Sequence, residues 1–188
     1  VTGNNAIVDW VVVELRNSAN NTQVVASRRA LLQRDGDVVD LNGLAPLVIP
    51  APATSYHVAV RHRNHLGVMS AAPIVLSATT TSIDFRNASQ ATFGTDARRT
   101  EGSRMVLWSG DVAFDGNAKY SGSSNDRDPI LSAIGGVVPT NTLTGQYRQE
   151  DLNLDGVVKY SGSGNDRDII LQTIGGTVPT AVRDEQLP

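Results

Sequence analysis

Six consecutive residues late in the chain, Asp151-Leu-Asn153-Leu-Asp155-Gly156, place oxygen-bearing side chains at alternate positions and a glycine at the sixth. That pattern suits a hard divalent cation, which takes about six to eight oxygen ligands at about 2.3–2.6 Å. Side chains at positions 1, 3 and 5 can turn inward together, and glycine at position 6 permits the sharp bend that follows. Position 7, Val157, would offer its main-chain carbonyl, so its side chain is free to be apolar. Position 8, Val158, is where such loops place an apolar residue that pairs with a neighbouring loop. The competing reading is an Asx-rich turn that holds no ion, since Asp-Gly turns are common.

The same pattern occurs 40 residues earlier. Residues 111–140 and 151–180 are identical at 20 of 30 positions, so this part of the chain is an internal duplication. The earlier loop, Asp111-Val-Ala113-Phe-Asp115-Gly116, has alanine where the third oxygen should stand, and Asn117 would supply the position-7 carbonyl. A water or main-chain oxygen substituting at position 3 would lower the affinity.

The ligand that closes each loop is less direct. A twelve-residue loop would end on Gly122 or Gly162, which have no side chain, so the loops are expected to be extended through Tyr-Ser-Gly-Ser-x. The next acids are Asp126 and Asp128, matched by Asp166 and Asp168, at the start of an apolar run that reads as a short helix stopped by Gly-Gly. Two registers compete. With Ser123 and Ser163 as N-caps, Asp126 and Asp166 fall at the third helical position. With Asn125 and Asn165 as caps, Asp128 and Asp168 take it, and Pro129 then sits less badly near the helix start. Acids are favoured at a helix N-terminus in either case, so both pairs stand as candidate ligands.

What positions these loops divides the chain into residues 1–100 and 101–188. The first part reads as short strands: Ile7–Leu15, Gln23–Gln33, Val38–Leu41, Tyr56–His62, Pro73–Thr79 and Ser82–Arg86. Asp35-Gly36 marks a tight turn, and Tyr56, Val58, Val60 and His62 alternate with His57, Ala59 and Arg61. Closely spaced strands without an intervening helix predict an antiparallel β-sandwich, so the whole chain is expected to be mainly β with a small α part.

Composition narrows the function. The 188 residues carry a net charge of −3, which argues against nucleic-acid partners. No apolar run is long enough to span a bilayer, so no membrane insertion is expected. No basic-then-apolar leader opens the chain, so any targeting peptide is expected to have been removed or to lie upstream. There is no cysteine, which excludes disulfides and cysteine chemistry, and only three histidines. Glu14, Asp35, Asp37 and Asp40 have no second carboxylate or base beside them in the sequence, and no G-x-S-x-G, H-E-x-x-H or P-loop occurs. His62-x-x-His65, with Arg61 and Arg63 beside it, reads as a strand-end turn rather than a zinc site. Trp10 alternates with Val12 and is expected in the core. Tyr120 and Tyr160 recur at equivalent positions, either as loop packing between the two repeats or as partner contacts.

Two D-x-N-x-D-G-type loops, each followed by one short helix, resemble the dockerin type I repeat. The string Asp-Gly-x-x-Lys-Tyr-Ser-Gly-Ser-x-Asn-Asp-Arg-Asp-x-Ile-Leu resembles a variant found at the C-termini of secreted Bacteroidetes proteins. The preceding Asp9-Trp10-Val-Val-Val-Glu-Leu-Arg16, Ala30-Leu-Leu-Gln-Arg-Asp-Gly-Asp37 and Tyr56-His-Val-Ala-Val-Arg-His-Arg-Asn-His-Leu-Gly67 resemble the segment that comes before those repeats, with the strand pattern of a transthyretin- or CnaB-like domain. The resemblance implies two calcium ions, a secreted or cell-surface location and a non-catalytic role. It matches Asp111, Asp115, Asp151, Asn153 and Asp155 directly to ligand positions. A cohesin-type protein module or a surface glycan are the alternative partners, and Ala113 and the extended loops depart from the pattern.

Overall fold

The structure, a computed structural model, describes residues 3–188; Val1 and Thr2 lie outside the described residues. The chain is mainly β, with antiparallel sheets and two short helices among the described residues. It packs as two units, one comprising residues up to His62, Gly67–Val106 and Gln186–Pro188, the other Arg63–Leu66 and Leu107–Glu185.

The first unit is built on β1 (Ile7–Asn17), β2 (Val24–Gln33), β3 (Val38–Val39), β4 (Thr54–His62), the part of β5 (His65–Met69) from Gly67 onward, and β6 (Ile74–Leu76). They form one sheet in the order β3-β2-β1-β4-β5, with β6 also paired to β4. β1 is central because its β-branched run offers two usable edges: Val13 lies opposite Arg28 on one side and Val60 on the other. The turn after it closes as the Asn-rich cluster predicts, with the Asn17 side-chain oxygen accepting the N–H groups of Ala19 and Asn20. At Asp35-Gly36 the expected tight turn forms, and Gly36 takes a φ of 95° that a side chain would resist.

One face of this sheet holds Val11, Val13, Leu15, Ala30, Tyr56 and Val58. The strand spacing predicts a second sheet opposite. The hydrogen bonds instead join all six strands into one sheet, and Leu47, Ile49, Ala51 and Ile83 from irregular chain pack against that cluster. Proline explains part of this: Pro46, Pro50 and Pro52 have no N–H to give to a ladder. Ser82–Arg86 is also not a strand, because the Asp84 carboxylate takes the Arg86 N–H in a local turn. β4 ends at His62 in the expected strand-end turn at Arg63-Asn64, and β5, which no sequence pattern indicated, begins at His65. Trp10 is not in the core: it is 46% exposed, on the face of β1 opposite Val11 and Val13. His62 is buried and its Nε2 lies 3.1 Å from the Asp9 carboxylate, so it is committed within this unit. A hairpin of β7 (Arg99–Glu101) and β8 (Arg104–Val106) completes the strands of the unit.

The second unit follows the duplication. It contains β9 (Asn117–Lys119), α1 (Arg127–Ala133), β10 (Thr142–Thr144), β11 (Val157–Lys159), α2 (Asp166–Thr173) and β12 (Val182–Asp184). The short strands pair crosswise. β10, which follows the first repeat, lies against β11 in the second loop, and β12, which follows the second repeat, lies against β9 in the first loop. Each half therefore finishes the other. Val112, Ile130, Ile134, Leu152, Val158 and Ile170 form one shared core drawn equally from both halves. Each fully buried aliphatic side chain contributes roughly 1.5–3 kcal/mol. Helices of seven and eight residues are too short to persist alone, so this shared core and their caps hold them. At their C-termini, Gly136 and Gly176 donate to the carbonyls of Leu131 and Leu171, both at 2.8 Å, which ends each helix at the Gly-Gly pair.

Candidate metal centre

Both loops fold into the same hydrogen-bonded turn. In the second, Asp151 accepts the N–H groups of Asp155 at 3.2 Å and Gly156 at 3.0 Å, one on each carboxylate oxygen. In the first, Asp111 accepts those of Asp115 at 3.0 Å and Gly116 at 3.1 Å. Asp155 in turn accepts the Val157 N–H, and Asp115 accepts that of Asn117. These bonds wind the chain around the side chains of positions 1 and 5 and carry it through the glycine bend, where Gly116 and Gly156 have φ of 83° and 84°. Asn153 adds its own bond to the Asp155 N–H at 2.9 Å, and Ala113 has no equivalent.

The two candidate closing pairs separate cleanly. Asp126 and Asp166 are buried and reach back into their loops. Asp126 Oδ1 accepts from Val112 at 2.7 Å and Ala113 at 2.9 Å, while Oδ2 accepts from Lys119 at 2.7 Å. Asp166 repeats this with Leu152 at 2.7 Å, Asn153 at 3.3 Å and Lys159 at 2.8 Å. Asp128 and Asp168 face their helix caps instead: Asn125 and Asn165 accept the Asp128 and Asp168 N–H groups and donate their own amides to those carboxylates at 2.8 Å. In α2 that is the register with Asn165 as the cap; α1 begins one residue later, after Asp126, with the same Asn125–Asp128 bonds at its start. Asp126 and Asp166 stand at the loops; Asp128 and Asp168 are occupied in capping.

Burial acts strongly on the inner acids. It pushes the carboxyls of Asp126 and Asp166 up to about 6, outweighing the three N–H groups that each accepts. The neighbouring Asp111 and Asp151 carboxylates push in the same direction. Asp111 is itself raised, first by burial and then by the charges of Asp115 and Glu185. Like charges held together in this way would be relieved by a cation.

The donor set is all hard oxygen: two carboxylates per loop at positions 1 and 5, the Asn153 amide, and the main-chain carbonyls of Asn117 and Val157. It fits calcium in type. Among the described residues no group of three carboxylate or imidazole side chains stands together as a ready-made cage. Each site would therefore rest on two acids completed by amide, carbonyl and solvent oxygens.

The sequence expectation for Val158 is corrected. Val158 is buried as a position-8 residue should be, but it pairs with Leu143 of β10 rather than with the other loop. Its counterpart Ala118 lies opposite Arg183. A neighbouring-loop partner would need both loops on one edge, whereas the duplicated tails already fill those edges. The repeated tyrosines border the shared core: Arg127 lies 5.2 Å from the centre of the Tyr120 ring, and Arg167 lies 5.1 Å from that of Tyr160 and also interacts with Tyr120 of the other half.

Two residues near the loops carry little sequence signal. Glu185 donates its N–H to the Gly116 carbonyl at 2.7 Å and adds negative charge beside Asp111, at the place that Gly145 fills in the other half. Asn64 is fully buried in the second unit, where its amide nitrogen donates at 2.9 Å to the carbonyls of both Gln149 and Asp151. Glu185 could have been found by extending the 40-residue offset beyond the identical block; a lone asparagine between Arg63 and His65 gives no such clue. Compared with family models, curated proteins and solved structures, the chain matches none.

Proposed function

We propose that the chain is a non-catalytic, calcium-stabilised accessory module of a secreted or cell-surface protein, in which a β unit precedes a dockerin-like pair of calcium loops. One observation carries this reading. Two loops 40 residues apart wind the same net of N–H bonds around their position-1 and position-5 aspartates, and each draws in a further buried aspartate whose charge is not favoured there. Gathering several carboxylates in each half in this way costs desolvation and mutual repulsion, which a bound cation would offset.

Asp111, Asp115 and the Asn117 carbonyl would hold one ion; Asp151, Asn153, Asp155 and the Val157 carbonyl would hold the other. Asp126 and Asp166 would back these sites through the loop amides. Extracellular modules bind calcium at about 10⁻⁴–10⁻³ M, and an ion bound only by the folded loops adds its binding free energy to folding. Without cysteine, the ions would take the stapling role that disulfides have in many small extracellular domains. No helix among the described residues is long and apolar enough to cross a membrane.

The test is thermal unfolding of the full chain with millimolar calcium and with chelator. A rise of the transition with calcium supports the reading, and identical transitions remove it.

A further inference from the structure

The entrances of the two loops meet at one buried residue, Asn64, one through its main chain and the other through its side chain. Gly110, immediately before Asp111, donates its N–H to the main-chain carbonyl of Asn64 at 2.9 Å. The Asn64 amide nitrogen donates to the carbonyl of Asp151, the first residue of the other loop, and to that of Gln149. Gln149 returns toward the first loop, its side-chain amide donating to the Val112 carbonyl at 2.6 Å. Asn64 itself is held on its remaining oxygen, 2.8 Å from Nδ1 of His65, and the turn is pinned by the Leu66 N–H on the Trp108 carbonyl at 2.8 Å. The amide nitrogen, the side-chain oxygen and the main-chain carbonyl of Asn64 are all engaged, and the residue is 0% exposed. Such a residue has one available position, so a shift of either loop entrance is transmitted to it.

We propose that Asn64 is the positioning residue that couples the two calcium loops, so that ordering one loop around its ion favours ordering of the other. The inference rests on the calcium reading above. Asn64 touches no ion in this scheme. It fixes the main chain at Asp151 and just before Asp111, and those residues present the first ligand of each site. The coupling is reciprocal: whatever the second ion does for the first, the first does for the second.

Calcium chloride is titrated calorimetrically into the full chain and into Asn64→Ala and Gln149→Ala variants. Each is measured with the second loop intact and with it disabled by Asp155→Ala. The coupling is the ratio of first-loop affinities in the two states, expected to be at least about fivefold in the parent chain. Asn64→Ala should bring the ratio to one, and Gln149→Ala, at an exposed position, should reduce it. A merely structural role for Asn64 would lower both affinities and leave the ratio. An unchanged ratio in Asn64→Ala, or a ratio of one in the parent, overturns the proposal while leaving the calcium reading intact. If Asn64→Ala does not fold, Gln149→Ala decides: a reduced ratio supports the coupling and an unchanged one refutes it. A parent chain that binds no calcium overturns the calcium reading and this inference together.

Discussion

Asp166 accepts the N–H of Leu152 at 2.7 Å across 14 residues of chain, joining the first turn of α2 to the second residue of its loop. Asp126 and Val112 do the same in the first half. Both carboxylate oxygens of each aspartate are used, so an amide of the same shape cannot replace them: it would turn an N–H₂ group toward a backbone N–H. Leaving a buried group so opposed costs about 1–3 kcal/mol. Asp166→Asn and Asp126→Asn are therefore each expected to lower the free energy of chemical unfolding by that amount in chelator. Asp128→Asn, at the exposed cap, should change it by well under half as much.

The same buried acids set a pH dependence. Their folded-state pKa of about 6 lies above the ordinary carboxylate value, so the folded chain holds more protons than the unfolded chain between about pH 4 and pH 6. Their contribution to the metal-free protein is fully present below about pH 4 and is lost as the pH rises through about 6. Calcium demands the ionised form and should reverse the trend. Denaturant titrations in chelator are expected to give decreasing stability across that window, and the stabilisation added by calcium should grow over it.

Loop 1 differs from loop 2 mainly at position 3. Ala113→Asn is expected to strengthen the weaker calcium step, and Asn153→Ala to weaken the stronger one. Loss of an oxygen contact worth about 1.4 kcal/mol would appear as a tenfold change in affinity. Calorimetric titration of each variant reads the two steps separately, and Ala113→Asn failing to alter either step would place the first site elsewhere.

What the sequence made legible was whatever depends on local chemistry or on the duplication. The Asp-x-Asx-x-Asp-Gly spacing predicted the loops because each hydrogen bond in them spans five residues or fewer. The helix caps could be reduced to two registers, serine or asparagine, and the side-chain bonds of Asn125 and Asn165 follow the second. The alternation of Tyr56, Val58, Val60 and His62 marked the face of β4 that meets the core. Crosswise pairing of β10 with β11 and of β12 with β9 was not legible, because strands of three residues carry no periodicity and their partners are set by the fold of the other half. Trp10 misled for a related reason: alternation says that Trp10 and Val11 face opposite ways, without saying which face is covered.

Backbone conformation gives a final contrast among positive-φ positions. Gly110 has φ of 114°, and a Cβ there would lie 3.4 Å from the Ile170 main chain and 3.5 Å from the Ala118 side chain. Neither neighbour is the free end of a flexible chain, so Gly110→Ala combines strain with crowding and is expected to destabilise by about 2–3 kcal/mol. Gly156 has φ of 84° with open space around it, so Gly156→Ala should cost only the backbone strain, about 1–2 kcal/mol. Leu154 stands on the other side of this comparison: a bulky residue with φ of 60° and 41% exposed, already bearing the strain. Asparagine tolerates that conformation better, so Leu154→Asn is expected to raise the unfolding free energy by roughly 0.5 kcal/mol, less any packing lost from the leucine. Parallel denaturant titrations of the three variants should rank them Leu154→Asn, Gly156→Ala, Gly110→Ala from most to least stable. Gly110→Ala matching Gly156→Ala would mean that α2 does not press on the entrance of the first loop as closely as the 3.4 Å approach requires.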